Sequence, residues 1–222
     1  MKGSGSGSMN WKRKLLKDFK LYAVTDLKEH DPGFFKKAES ALKGGVDVLQ
    51  LRSKNLSDLE LYRIGSKLRE LTLRLKKLFF INDRLDLALA LSADGVHLGQ
   101  DDLPVSAARR ILKKDFMIGM STHTIKQALQ AQKEGADYIG IGPVFATPTK
   151  PDYCPVGLEL VRQASRKISI PFVAIGGIDA SNLTRVISAG AKSIAVVRAV
   201  WGEKDAFQAA HHLCNLMEGA RN

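Results

Sequence analysis

Two cysteines in 222 residues, Cys154 and Cys214, lie far apart and outside any metal-ligand spacing, which excludes a disulfide framework and a zinc site. Long apolar runs are missing as well. None approaches the roughly 18 residues needed to cross a bilayer, and the amino terminus lacks the apolar core of a secretion signal. A cytoplasmic protein without a membrane partner is expected. The net charge of +11 raises the question of nucleic acid. Basic residues do cluster, in Lys12-Arg13-Lys14, Lys36-Lys37, Arg74 to Lys77, Arg109-Arg110 and Lys113-Lys114. Most fall on predicted helix faces, where solvated charge is the plain explanation, and no aromatic platform or binding motif accompanies them. A positive potential equally suits anionic small substrates. Nucleic acid is not expected as a partner.

What is present is the ordinary balance of a globular chain, 45% hydrophobic and 26% charged, with enough length for one domain and a sizeable core. Met1 to Ser8 form a Gly/Ser string followed by a second methionine, Met9, in the manner of an appended leader peptide. The domain is expected to run over 9–222, with an extension at 9–20. Within it, Trp11–Lys20 reads either as an amphipathic helix covering the bottom of the domain or as a frayed tail.

Short β-branched runs alternate with helix-period segments. The candidate strands are Leu21–Thr25, Val46–Leu51, Leu78–Ile81, Gly95–Leu98, Phe116–Gly119, Tyr138–Ile141, Phe172–Ile175 and Ser193–Val197. The helices between and after them fall near Phe34–Lys43, Asp58–Lys76, Leu85–Leu91, Val105–Lys113, Ile125–Glu134, Leu158–Lys167, Ala180–Ala189 and Lys204–Glu218. The strands are almost continuously apolar, as parallel strands covered on both faces must be. Gly44-Gly45, Gly135 and Gly190 stand where helices end. Eight βα units predict a single-domain α/β protein, a (β/α)8 TIM barrel. The competing doubly wound sheet would usually carry a Gly-rich phosphate fingerprint after its first strand, and Thr25-Asp26-Leu27-Lys28 is not one.

A barrel gathers polar residues from the carboxyl ends of its strands on one face. Strand 2 ends in Gln50-Leu51-Arg52-Ser53-Lys54. A period of two can aim Gln50, Arg52 and Lys54 into the barrel mouth, where two cations and an amide suit a diphosphate. A salt bridge to a neighbouring strand-end aspartate explains the cations equally well. Strand 3 ends in Asn82-Asp83-Arg84, and strand 4 leads into Gln100-Asp101-Asp102. Carboxylates on adjacent loops facing a basic cluster are what Mg²⁺ with a diphosphate requires; helix capping is the alternative for Asp83 and Asp102. After strand 5 comes Ser121-Thr122-His123-Thr124, whose hydroxyls read first as caps for the next helix, and His97 and His123 read first as structural. The loop after strand 6 carries Thr147, Pro148, Thr149 and Lys150, with donors for an anion. Strand 7 ends in Gly176-Gly177 and strand 8 in Val197-Arg198, where barrels frequently hold a phosphate. Two anion sites on one rim follow, one metal-assisted and one on strands 7 and 8.

In order, these segments resemble the thiamine-phosphate synthase family over roughly Leu21 to Val200. The matching pieces are Leu-Tyr-Ala-Val-Thr-Asp at 21–26, Gln-Leu-Arg-Ser-Lys at 50–54 and Ile-Asn-Asp-Arg at 81–84. They continue with Gly-Val-His-Leu-Gly-Gln-Asp-Asp at 95–102 and Gly-Met-Ser-Thr-His-Thr at 119–124, and close with Gly-Pro-Val-Phe-Ala-Thr-Pro-Thr-Lys at 142–150 and Ala-Ile-Gly-Gly-Ile at 174–178. The resemblance implies a transferase that joins 4-amino-2-methyl-5-hydroxymethylpyrimidine diphosphate to a carboxylated thiazole phosphate, releasing diphosphate and CO₂, with Mg²⁺ as cofactor. By position it implies catalytic roles for Arg52, Lys54, Ser121 and Lys150. It assigns Gln50, Leu51, Arg52, Ser53, Lys54, Asn82, Ser121 and Lys150 to the pyrimidine substrate and Asp83 and Asp102 to the metal. Thr147, Pro148 and Thr149 go to the thiazole partner, and Gly177, Val197 and Arg198 to its phosphate. The family usually has serine where Arg198 stands. Its small-molecule substrates are the expected partners, with a homo-oligomer possible. The rivals are a thiazole tautomerase on the same barrel, with His123 as base, a noncatalytic binding barrel for nucleic acid or regulation, and a Schiff-base lyase using Lys150.

Overall fold

The structure is a computed structural model and describes residues 5–27, 31, 33–112, 114–147 and 154–220. Eight strands pair in parallel, each with the next and the last with the first, into a closed barrel. They are β1 (Leu21–Val24), β2 (Val46–Leu51), β3 (Leu78–Asn82), β4 (Gly95–Leu98), β5 (Met117–Thr122), β6 (Tyr138–Ile141), β7 (Phe172–Ile175) and β8 (Ile194–Val196). The single (β/α)8 barrel expected from the sequence is the fold.

Strand alternation divides the apolar residues into two cores. Leu21, Ala23, Leu49, Leu51, Phe79 and Ile81 face the helices, while Tyr22, Val24, Val48, Leu78, Phe80, Met117 and Tyr138 fill the barrel interior. Buried on both faces, the strands show the unbroken apolar runs seen in the sequence.

The helices are α1 (Gly5–Asp18), α2 (Phe34–Lys43), α3 (Asp58–Arg74), α4 (Leu85–Ala90), α5 (Val105–Ile111), α6 (Ile125–Lys133), α7 (Gly157–Lys167), α8 (Leu183–Ser188), α9 (Arg198–Trp201) and α10 (Ala206–Gly219). Three glycines adopt left-handed φ just where helices give way to strands: Gly45 at 125°, Gly135 at 92° and Gly190 at 104°. The α8 segment starts three residues later than its periodicity suggests. Asp179 accepts from the Ser181 amide and its own amide donates to Asn182 Oδ1, so the chain makes a side-chain-supported turn before it coils.

Of the two readings of Trp11–Lys20, the helix is the one found. The helix takes in part of the Gly/Ser string as well, since α1 begins at Gly5. Leu16 and Phe19 are buried against Tyr22, Leu78 and Tyr138 at the amino-terminal end of the barrel, closing it. Ion pairs fix the helix there. Lys12 Nζ lies 2.6 Å from Asp94, just before β4, and Arg13 reaches Asp137, just before β6, at 3.1 Å.

Cys214 on α10 is half-buried beside the Gly45 carbonyl, 3.6 Å away, and desolvation pushes its thiol up to about 11. Cys154 is exposed. A thiol-alkylating reagent at neutral pH therefore labels Cys154 well before Cys214. Equal labelling of the two in a peptide map would contradict the burial of Cys214.

Candidate active site

A cavity of about 330 Å³ opens among the carboxyl ends of the strands. Gln50, Arg52, Asn82 and Ser121 line one part of it, and Gly177, Val197 and Arg198 another, with Thr147 between these groups in sequence. Eight of the expected residues are thus brought together.

Gln50 lies two residues after Val48, on the interior face of β2, and is 3% exposed. Arg52 continues that face just past the strand end and is buried. Its guanidinium pairs with Asp26, beyond the end of β1, and its backbone N–H donates to Thr25 Oγ1 at 2.7 Å. The salt bridge expected for this arginine is present, and the residue lines the cavity as well.

Leu51, Ser53 and Lys54 are placed differently. Leu51 turns outward into the helix-facing core. Ser53 Oγ donates to the Leu27 carbonyl at 2.6 Å and accepts from the Asn55 and Leu56 amides, so its hydroxyl shapes a turn. That turn ends the alternation on which the aim of Lys54 depended. Lys54 is exposed and is not among the cavity residues. Pro148, Thr149 and Lys150 lie outside the described residues.

Asn82 ends β3, and its amide donates to the Asp83 carboxylate at 2.5 Å. Asp83 itself has a left-handed φ of 61°, with its N–H donating to the His97 carbonyl. Aspartate is among the few side chains that tolerate such a φ. Asp102, on the next loop, accepts from the Gly99 N–H at 2.7 Å. Neither aspartate caps its helix: α4 is preceded by Arg84 and α5 by Pro104, both without a side-chain cap. The capping explanation of these acids is therefore wrong, because the helices start one or two residues too late for it.

Strand β5 reaches Thr122, three residues beyond its expected end, because Ser121 and Thr122 pair with Gly140 and Ile141 of β6. Gly119 reads as a strand end but is a spacer. A Cβ there would stand 2.2 Å from the Tyr138 ring and 2.5 Å from His97 Nδ1. The cap of α6 is Thr124, in a reciprocal box with Gln127. Ser121 is left to the cavity.

Gly176 and Gly177 carry consecutive left-handed φ values of 101° and 63°. A Cβ on Gly177 would fall 2.6 Å from the Ala146 carbonyl oxygen, so both conformation and space demand glycine. Beside them, α9 is a short extra helix that begins at Arg198, after β8. Trp201 Nε1 donates to the Val24 carbonyl at 2.8 Å, and Lys37 donates to the Trp201 carbonyl at 2.6 Å, which holds α9 against the rim.

The sequence reading missed Tyr22, Thr122, Asp179 and Glu203 as cavity residues, and read His97 and His123 first as structural. A signal for Tyr22 was available: it falls two residues before Val24 on β1, in phase with the inward-facing positions of the other strands.

Fold and cavity define an enzyme of the (β/α)8 class, with its working site at the carboxyl ends of the strands. The family model described as thiamine monophosphate synthase matches residues 21–200. The chain belongs to that family, and it is a transferase. It is 50% identical over 186 residues to a thiamine-phosphate synthase of Gloeobacter violaceus, covering 84% of this chain but only 54% of that longer protein. To the thiamine-phosphate synthase of Pyrococcus abyssi it is 43% identical, over 95% of this chain and 98% of the relative. A solved structure of thiamine phosphate pyrophosphorylase from Pyrococcus furiosus superposes with a TM-score of 0.85 at 40% identity, covering 94% of this chain and all of that one.

Proposed function

We propose that this transferase joins 4-amino-2-methyl-5-hydroxymethylpyrimidine diphosphate to a carboxylated thiazole phosphate, giving thiamine phosphate, diphosphate and CO₂. One observation carries the reading. A single cavity is lined by Arg52, Gln50, Asn82 and Ser121 on strands 2 to 5 and by Gly177, Val197 and Arg198 after strands 7 and 8. That lining gathers donors from two separate parts of the chain around one space, and both substrates are anions. The names of the relatives support the same reading.

In the reaction, the bond between the pyrimidine CH₂ and the diphosphate oxygen breaks, and its electron pair leaves with the diphosphate. The pyrimidine amino group pushes electrons toward the carbon left behind. The thiazole nitrogen then forms the new C–N bond with its lone pair. Loss of CO₂ leaves a pair on the ring carbon, which takes up a proton. Arg52 neutralises charge growing on the leaving group inside a cavity where water competes poorly. Gln50, Asn82 and Ser121 hold the pyrimidine, and the Gly177 backbone with Val197 and Arg198 holds the thiazole phosphate, which keeps nitrogen and carbon in line. Lys54, Thr147, Pro148, Thr149 and Lys150 belong to the same proposal, on the strength of the family resemblance.

Asp83 and Asp102 are donors of the kind that Mg²⁺ takes, though neither is among the residues that line the cavity. Asp83 and Asp102 stand on adjacent loops, and among the described residues no group of three or more His, Cys, Asp or Glu side chains forms a cage. Magnesium commonly takes one or two carboxylates, with phosphate oxygens and water completing its shell. Bound by these two residues, it would neutralise charge on the diphosphate.

The test is incubation with both phosphorylated substrates, with and without Mg²⁺, assayed for thiamine phosphate. Product is expected only in the complete mixture; none there would favour a tautomerase with His123 as base. Asp83→Asn, which keeps a residue suited to positive φ, and Asp102→Asn should each lower turnover by about 100-fold or more. Near-normal turnover at saturating pyrimidine substrate would overturn the metal role.

A further inference from the structure

Inside the barrel, five side chains from five strands or strand ends form one unbroken hydrogen-bonded series. Gln50 Nε2 donates to the Tyr22 hydroxyl at 2.9 Å, and that hydroxyl is 2.9 Å from the Tyr138 hydroxyl. Tyr138 is 2.8 Å from His97 Nδ1, and His97 Nε2 is 2.9 Å from Ser121 Oγ. Both ends, Gln50 and Ser121, face the cavity. The strands make room for the series with glycine. A Cβ on Gly119 would strike Tyr138 and His97, and one on Gly140 would come within 3.3 Å of the His97 ring.

The direction of the series follows from counting protons. An amide nitrogen only donates, and a phenol has one proton to give. Tyr22, accepting from Gln50, passes its proton's bond to Tyr138. Tyr138, accepting from Tyr22, donates to His97 Nδ1. A neutral imidazole that accepts at Nδ1 carries its proton on Nε2, and so donates to Ser121 Oγ. Ser121 then has its own proton to offer to the cavity. Burial pushes the ionisation of both phenols well upward, so they remain O–H donors.

We propose that Gln50, Tyr22, Tyr138, His97 and Ser121 act as a single directional hydrogen-bond chain that fixes His97 as the Nε2–H tautomer and makes Ser121 a donor to an acceptor atom of the bound substrate. Tyr22, Tyr138 and His97 are positioning residues in this arrangement, since they act through Ser121 and Gln50. The assignment of Ser121 to the pyrimidine substrate is the part that rests on the function proposed above.

Two measurements test the chain. The first is nitrogen NMR of the ligand-free protein labelled at histidine. His97 is expected to show a protonated, pyrrole-type Nε2 and a pyridine-type Nδ1, and Tyr138→Phe is expected to let the two tautomers mix. An Nδ1–H tautomer in the unaltered protein, or one untouched by Tyr138→Phe, would overturn the proposal. The second is a kinetic cycle. Tyr138→Phe and Tyr22→Phe each remove a hydroxyl that makes two neutral hydrogen bonds in the series and should lower kcat/KM by about tenfold or more. In a chain that works as a unit the double variant loses no more than either single one. Additive losses, or losses that only follow a lowered melting temperature, would make the network merely structural. Failure of the unaltered protein to form thiamine phosphate would sink the reaction instead, and the tautomer measurement, needing no substrate, would still stand.

Discussion

Arg52→Ala is expected to lower kcat for thiamine phosphate formation by about 100- to 1000-fold, the usual cost of removing one fixed donor from developing negative charge. The size of the effect comes from placement. The guanidinium is withdrawn from solvent, with Asp26 on one side and the cavity on the other. Thr25 fixes the backbone beneath it, donating from Oγ1 to the Arg52 carbonyl at 2.8 Å while accepting from its N–H. Such a cation is already aimed before substrate arrives. Arg52→Lys keeps the charge but gives up the planar fork, and recovers only part of the loss. Steady-state rates at saturating substrates decide the matter: an alanine variant within tenfold of the unaltered protein would remove Arg52 from the chemistry.

The second large effect is on stability. Asp94 is fully buried and holds three partners at the closed end of the barrel. Arg69 grips both its oxygens, at 2.8 and 3.0 Å, Lys12 lies 2.6 Å away, and the Phe79 N–H donates at 2.9 Å. Asp94→Ala leaves two cations facing one another and an amide without an acceptor. A loss of about 3–5 kcal/mol in unfolding free energy is expected, as for other broken buried pairs. Urea unfolding followed by two spectroscopic probes measures it. A loss below about 1 kcal/mol would mean that Lys12 and Arg69 find water at little cost.

Strand positions were legible because a parallel barrel demands apolar residues on both strand faces, and the expected boundaries differ from the observed ones chiefly at β5. There, the apolar run ends at Gly119, which spares space for Tyr138 and His97 while the strand continues through Thr122. The rim was legible wherever a polar residue stood in phase with a strand, as with Gln50, Arg52 and Asn82. Lys54 was lost because phase ends where the strand ends, and the Ser53 turn intervenes. Hydrogen bonds between distant strands leave no local signature. Tyr22 and Tyr138 are 116 residues apart, and each alone looks like an ordinary core aromatic. The pairing of Arg52 with Asp26 was foreseen only as a type of contact, since spacing cannot choose between neighbouring acids.

Leu16 and Phe19 of α1 cover the floor of a barrel whose interior Tyr22, Phe80 and Tyr138 already fill, so the first helix shields those rings from water at the end away from the cavity.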